Sequence, residues 1–525
     1  MQFYSLQFVV FVAALMALYY AVGRFAKRGQ WVVLLAGSLG FYLFAGWQNL
    51  FFIVLTSVST WLVGLAFARI DARCDKARAT AADRAEKKAI KARFKHRKWL
   101  VLLAVMLVNF GVLGYIKYWN TLLAGFGADA TFLASHLLLP LGISFYTFQS
   151  IGYTIDLYNG KYAPERNYAR YLLFVSWFPQ LIQGPINRFD DMAAQLYERH
   201  SFDMQETRRA LLLILFGLLK KYVMADTLVS TISVALDNMS VGTPGSVVAF
   251  GILLYTFQQY GDFSGGIDIV RGVSELFGIR MAPNFNQPYF SVSLSDFWRR
   301  WHMSLGAWMR DYVFYPLAVR PSLLKLNKWG TAHLGKHVGR TLSACIGNVV
   351  VFLLVGLWHG AETHYVLWGL YNGVIIAAGD MMKPLFVALG NKLHINVEGR
   401  GYHLFAILRT FFLVNIGRYF DRLSDFGDCL QGFYNTIFNF NLADFGTWFQ
   451  TYSILHGWVL QTLAAIAGVI VFIVSIQRER GVDVRARVLA LPLVVRLLLY
   501  TFLGVLVIAG VVITKTSGVF LYANF

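Results

Sequence analysis

Apolar runs long enough to cross a bilayer recur along this chain, divided by short basic loops. A hydrocarbon core requires ~20 apolar residues per helical span. Because no water is available there, backbone groups must be paired within a helix or around a closed barrel. The runs here are continuous rather than alternating, which selects helices. Hydrophobic residues make up 57% of the 525 and charged residues 14%, whereas about a quarter of a soluble chain is charged. The expected fold is an all-α polytopic membrane protein, a single domain over residues 1–525 with about eleven to thirteen transmembrane or re-entrant segments. The net charge of +19 sits in short loops, as the positive-inside bias requires, and no soluble basic domain exists to bind nucleic acid. Cys74, Cys345 and Cys429 are too few and too far apart for a disulfide framework or a zinc knuckle.

Residues 4–22 read as a retained first span, with Arg24, Lys27 and Arg28 at its cytoplasmic end. Residues 31–46 and 50–68 follow. The segment 69–98 carries twelve Lys/Arg against four Asp/Glu and reads as a solvated cytoplasmic helix, chiefly a topology determinant. Residues 99–125 cross outward. Between Leu137 and Tyr158 the residues Pro140, Gly142, Ser144, Thr147, Gln149 and Ser150 suggest a broken or re-entrant helix lining a cavity. The segment Tyr171 to Gly184 reads as a helix stopping within protein. Further spans are expected at 209–236, interrupted by Lys220 and Lys221, and at 245–260, 341–358, 364–379, 403–417, 451–476 and 497–513. Amphipathic cytoplasmic helices fill 284–317, a basic loop fills 321–340, and residues 514–525 form an extracytoplasmic tail.

The chemistry concentrates between residues 284 and 373. His359 closes an uncharged run from Val349 to Trp358. An ionisable group at membrane depth is a functional candidate by default, and an imidazole kept neutral by low polarity is a good general base. His302 lies in Trp298-Arg299-Arg300-Trp301-His302 and is either a helper or an interfacial anchor. Asp262 and Asp268 are too polar to face lipid; they either contact substrate or pair with Arg271, Arg299 or Arg300. Arg299, Arg300 and Arg310 suit the phosphates of a donor. His359, Glu362 and His364 do not have zinc-site spacing, and no metal is expected. The Tyr522 hydroxyl, in Phe520-Leu521-Tyr522-Ala523-Asn524-Phe525, is either an interface anchor or a nucleophile that carries a group.

Two elements together resemble the membrane-bound O-acyltransferases. They are Asn284-Phe285-Asn286 with Asp296-Phe297-Trp298-Arg299-Arg300-Trp301-His302, and Gly356-Leu357-Trp358-His359-Gly360-Ala361. Leu139-Pro140-Leu141-Gly142-Ile143-Ser144-Phe145-Tyr146, Phe178-Pro179-Gln180-Leu181-Ile182-Gln183-Gly184-Pro185 and Gln259-Tyr260-Gly261-Asp262-Phe263-Ser264-Gly265 are similar to the bacterial alginate O-acetyltransferase branch. The resemblance implies a helical bundle around a tunnel, with His359 catalytic, His302 on the donor side, and Trp298, Trp301 and Trp358 among the substrate contacts. It implies an acyl thioester co-substrate, acetyl-CoA or an acyl carrier protein, and an SGNH-type extracytoplasmic partner. The acceptor would be a surface polysaccharide and the site the bacterial inner membrane, with Tyr522 as acyl carrier. Two elements depart from the branch: Ala318-Val319-Arg320-Pro321 stands for Gly-Gly-Asn-Arg, and Ile416-Gly417-Arg418-Tyr419-Phe420 stands for Phe-Phe-Arg-Ala. Teichoic-acid D-alanylation stays open as an alternative, and so does a polymer or lipid exporter, although no internal repeat supports transport.

Overall fold

A computed structural model of the chain describes residues 5–26, 29–44, 46–125, 140–423, 425–456 and 458–514. The described residues are helical throughout, apart from turns and one isolated bridge between Phe285 and Trp301. Among the described residues, six helices are long and apolar enough to cross a membrane: Leu6–Phe25, Asn49–Ala79, Arg84–Trp119, Lys336–His359, Val459–Glu479 and Leu493–Thr514. Thr363–Met381 with Lys383–Lys392, bent by 56°, makes a seventh if the pair is one span. These six helices bury only 22–39% of their most apolar windows, so most of that surface points outward. Leu498, Val505, Ile508 and Val512 are typical exposed members. Such a surface is stable only against hydrocarbon.

The described residues pack as two compact units. The first comprises Met1–Leu211 and Val270–Ala282. In it, helix Ile143–Tyr158 is almost wholly buried; residues 137–139, where the expected broken or re-entrant helix begins, lie outside the described residues. Gln149 of this helix finds a partner inside: its amide and that of Gln180, on a neighbouring helix, both donate to the Phe174 carbonyl, at 3.1 and 2.7 Å. Asn187 donates to Gln180 Oε1 at 3.0 Å, and helix Phe178–Gln183 ends within protein as expected. The basic segment 69–98 is not one helix. It is the projecting ends of helices Asn49–Ala79 and Arg84–Gly125, joined by a turn at 80–83 and tied by Lys98 to Asp71 at 2.9 Å. Helix Gln30–Phe44 has 15 residues, short for the span expected at 31–46.

The second unit comprises Leu212–Ile269 and Pro283–Phe525. Helices Lys336–His359 and Thr363–Met381 form a hairpin at near-backbone contact. A Cβ on Gly369 would collide with the Phe352 carbonyl, and one on Gly356 would lie 3.2 Å from the Gly369 Cα. Small residues at such positions substitute for a hydrophobic drive that lipid cannot supply. The expected basic loop at 321–340 is largely helical: Pro321–His333 begins on a proline suited to the first turn, and Asn327 exchanges two 2.9 Å bonds with Ser343. Helix Gly245–Glu275 runs well past the span expected at 245–260.

Lys220 and Lys221 lie in a π-helical stretch, Leu219–Ala225. Lys221 pairs with Asp262 at 2.5 Å and Asp226 at 2.8 Å, and Lys220 pairs with Asp268 at 2.8 Å. Lysines on another helix thus hold the two aspartates, for which pairing with arginines was one of the two expectations. All three cysteines are free and buried. Gly369→Val should lower stability by about 1–3 kcal/mol or more, since overpacking here meets backbone. The thermal unfolding midpoint in detergent checks this, and an unchanged midpoint would show that the hairpin is loose.

Candidate active site

The two halves of the first motif, Asn284-Phe285-Asn286 and Asp296 to His302, are joined by backbone. The Asn286 N–H donates to the Arg300 carbonyl at 2.9 Å, and the Met303 N–H donates to the Asn284 carbonyl at 3.0 Å. These bonds turn the chain between helices Leu294–Arg300 and Met303–Met309, where His302 takes a left-handed conformation with φ of 47°. That conformation costs a β-carbon residue roughly 1–3 kcal/mol and persists only where the surroundings enforce it. Asn284 enforces it here. Its Oδ1 accepts from the Ser304 N–H at 2.9 Å, the Ser304 hydroxyl at 2.8 Å and His302 Nδ1 at 3.3 Å. An oxygen that already accepts from two donors assigns the ring proton to Nδ1 and leaves the lone pair on Nε2. Burial pushes the imidazole well below its usual pKa, so the ring is neutral.

His359 is the last residue of helix Lys336–His359 and is 5% exposed. Its ring is enclosed by Trp358, Trp368 and Tyr365, at centroid distances of 4.9, 5.0 and 5.9 Å. Trp358 also lies 6.1 Å from the His302 ring, so a single indole joins the two histidines. Trp298 closes the other side, 5.5 Å from Trp368, with its N–H donated to Asn372 at 3.0 Å. Trp301 is buried against Phe285 and Phe297. Phe263, the neighbour of Asp262, packs edge-on against His302 at 4.8 Å.

The structure therefore brings together Trp298, Trp301, His302, Trp358 and His359. It keeps the arginines outside this cluster. The side chains of Arg299 and Arg310 are 74% and 57% exposed, beside Asp296 and Asp311 respectively. Arg300 is held by Asp296 at 3.3 Å and Glu479 at 2.8 Å, so a phosphate there would have to displace a carboxylate. Asp262 sits in its lysine pair behind Phe263, and Tyr522 lies outside the described residues. His364 donates Nδ1–H to the Phe420 carbonyl at 2.7 Å, a bond that holds helix Arg400–Arg422 to the hairpin.

Sequence reasoning missed Asn284 as an organiser, the Tyr365 and Trp368 walls, and a buried pair between Arg418 and Asp421 at 2.8 Å. Only the last had a sequence signal, charge inside an apolar run. Beside the cluster is an apolar cavity of about 790 Å³, lined by Phe257, Tyr260, Tyr289, Phe411 and Phe472 among others. The rings of Tyr260 and Tyr289 both stand 6.3 Å from that of Trp301.

A neutral imidazole in an aromatic enclosure within a helical membrane bundle is suited to taking a proton from a hydroxyl away from water. The sequence profile of the membrane-bound O-acyltransferase family matches residues 165–396. The chain is 34% identical over 421 residues to the probable alginate O-acetylase AlgI of Pseudomonas aeruginosa, which covers 78% of this chain and 69% of that one. It is 30% identical over 365 residues to the peptidoglycan O-acetyltransferase of Helicobacter pylori, covering 64% of each. It is 29% identical over 291 residues to the teichoic acid D-alanyltransferase of Bacillus subtilis, covering 54% of this chain and 69% of that one. The chain belongs to the membrane-bound O-acyltransferase family. It is an acyltransferase, a multi-pass membrane protein with bacterial relatives.

Asn284→Ala would strip three buried donors of their shared acceptor. A loss of about 1–3 kcal/mol is expected, together with release of the His302 tautomer. Unfolding in detergent, and the nitrogen chemical shifts of His302, provide the check.

Proposed function

We propose that the protein moves an acyl group, acetyl in the first instance, from a cytoplasmic thioester across the bacterial inner membrane for O-acylation of a cell-surface polysaccharide. The observation that carries this reading is His359, buried at the end of a spanning helix inside an aromatic enclosure and linked by Trp358 to His302. His359 acts as general base toward the attacking hydroxyl, and His302 assists from the donor side. The indoles of Trp298, Trp301 and Trp358 line the substrate path, Asp262 supports it through Phe263, and the exposed Arg299 and Arg310 meet the donor's phosphates, joined by Arg300 on exchange of its Glu479 partner. The donor is acetyl-CoA or an acyl carrier protein.

In this reading the whole chain works as one membrane domain of eleven to thirteen segments around a tunnel. The shorter helices complete the set begun by the six long ones. The C-terminal tail lies outside the cell membrane, where Tyr522 takes the acyl group and an SGNH-type partner collects it for the polymer. The alginate and peptidoglycan O-acetylating relatives support acetyl transfer to a glycan. The D-alanyltransferase relative keeps D-alanine as the second acyl group to be tested.

His359→Ala should lower ester formation on the native polymer by about 10²–10⁴-fold, the usual contribution of a general base. A wild-type rate in that variant would sink the proposal. Tyr522→Phe should abolish an acyl adduct seen by intact-protein mass spectrometry; full activity without the hydroxyl would reduce the tail to an anchor.

A further inference from the structure

Arg418 is 3% exposed, on helix Arg400–Arg422, and its guanidinium lies 5.0 Å from the centre of the Trp301 ring. Its Nη1 donates to Asp421 at 2.8 Å; among the described residues Nε and Nη2 make no hydrogen bond of good geometry, and the Tyr289 phenol stands close by. Those two atoms form the side of the guanidinium that can give two parallel N–H bonds to one oxygen or to a pair of oxygens. Buried donors are normally satisfied, so a pair left open on a charged group points to something that arrives. The mounting is rigid. Asp421 also accepts from Gln259 Nε2 at 2.6 Å, an orientation that turns Gln259 Oε1 away from the carboxylate, and that oxygen too is without a partner.

The location is the active site already described. Trp301, under the guanidinium, directly precedes His302. The same helix is bonded to the His359 wall at Phe420, whose carbonyl accepts from His364 at 2.7 Å, and the ring of the next residue, Tyr365, stacks on His359 at 5.9 Å. The guanidinium is thus flanked by the surroundings of both histidines. Tyr289, the phenol beside it, lines the apolar cavity.

We infer that Arg418 is a catalytic residue, the donor that takes the acyl carbonyl oxygen as it becomes an oxyanion. The inference rests on the reading of His359 as base. His359 takes the proton of the attacking hydroxyl while that oxygen bonds to the acyl carbon, and the carbonyl electron pair moves onto its oxygen between Nε–H and Nη2–H of Arg418. Collapse re-forms the carbonyl, breaks the carbon–sulfur bond and releases the thiolate, which recovers the proton from the imidazolium. Preorganised donors aimed at developing charge in a water-excluded site are usually the largest single contribution to such a step. Asp421 balances the resting charge of the guanidinium, so the resting site stays neutral. Gln259 Oε1 is placed to accept from an O–H or N–H of the reactants.

The test uses full-length protein in a deletion strain, reading ester formed on the native polymer for wild type, Arg418→Lys, Asp421→Asn and the charge-neutral double variant Arg418→Gln/Asp421→Asn. Membrane abundance and detergent melting of each are read in parallel. Arg418→Lys, which keeps the charge but not the fork, should fall at least 100-fold at wild-type abundance, and Asp421→Asn should keep a tenth or more. Millimolar guanidinium should restore part of the activity of Arg418→Ala, which loss of a merely structural contact would not allow. Near-wild-type ester formation by Arg418→Lys or by the double variant overturns the inference, as does an Asp421→Asn variant as inactive as Arg418→Lys. If Arg418→Lys does not fold, the double variant, which leaves no uncompensated charge, decides. Full activity of His359→Ala in the same strain is a separate result and counts against the general-base reading instead.

Discussion

A charge placed in an apolar bundle must be met by its opposite within hydrogen-bond reach, because neither lipid nor packed side chains will solvate it. Much of the second unit is arranged around that requirement. The π-helical stretch Leu219–Ala225 presents Lys220 and Lys221 to three carboxylates, and these pairs hold helix Gly245–Glu275 in place. That helix in turn supplies Phe263 to the His302 ring and Gln259 to Asp421. Arg418 and Asp421 form a second buried pair, tied to the first through the same helix. The ion pairs thereby serve as mounts for the aromatic residues that enclose the two imidazoles.

The other mount is steric. His359 stands at the end of a helix pressed against its neighbour at Gly356 and Gly369, so its position along the hairpin is set by backbone contact. Tyr365 and Trp368, from the first turns of the facing helix, then fall against its ring. His302 is held by different means, a left-handed backbone turn and one asparagine oxygen with three donors. A buried imidazole on a rigid helix and a second ring with an assigned tautomer are separated by the single indole of Trp358. Both imidazoles are shielded from water, the condition under which proton transfer from a hydroxyl is most effective.

The helical class and six of the spanning runs were legible because hydropathy is a local signal, and rare polar residues drew attention to the region from 284 to 373 in the same way. His359 stood out for that reason. Helix ends were less legible: the basic hairpin at 69–98 and the helix Pro321–His333 both read as something simpler, since charge predicts exposure but not where a helix turns. Asp262 and Asp268 were recognised as needing partners, yet their lysines lie far back in the chain on another helix, and spacing along the chain carries no information about that pairing. Asn284 was invisible as an organiser because an asparagine in a polar stretch has many ordinary uses.

By itself the amino-acid sequence determined that this is a helical membrane protein, and it singled out a histidine in an apolar run as the candidate for its chemistry. Hydrophobic period and the cost of burying an imidazole are properties of short stretches. Only the tertiary structure decided which residues share the site: that Arg300 is bound up with Glu479 while Arg418 faces inward, and that Trp358 lies between the histidines. Those facts depend on how helices far apart in the chain are packed, and packing is settled by backbone approach at glycines and by pairing of buried charge rather than by any local pattern.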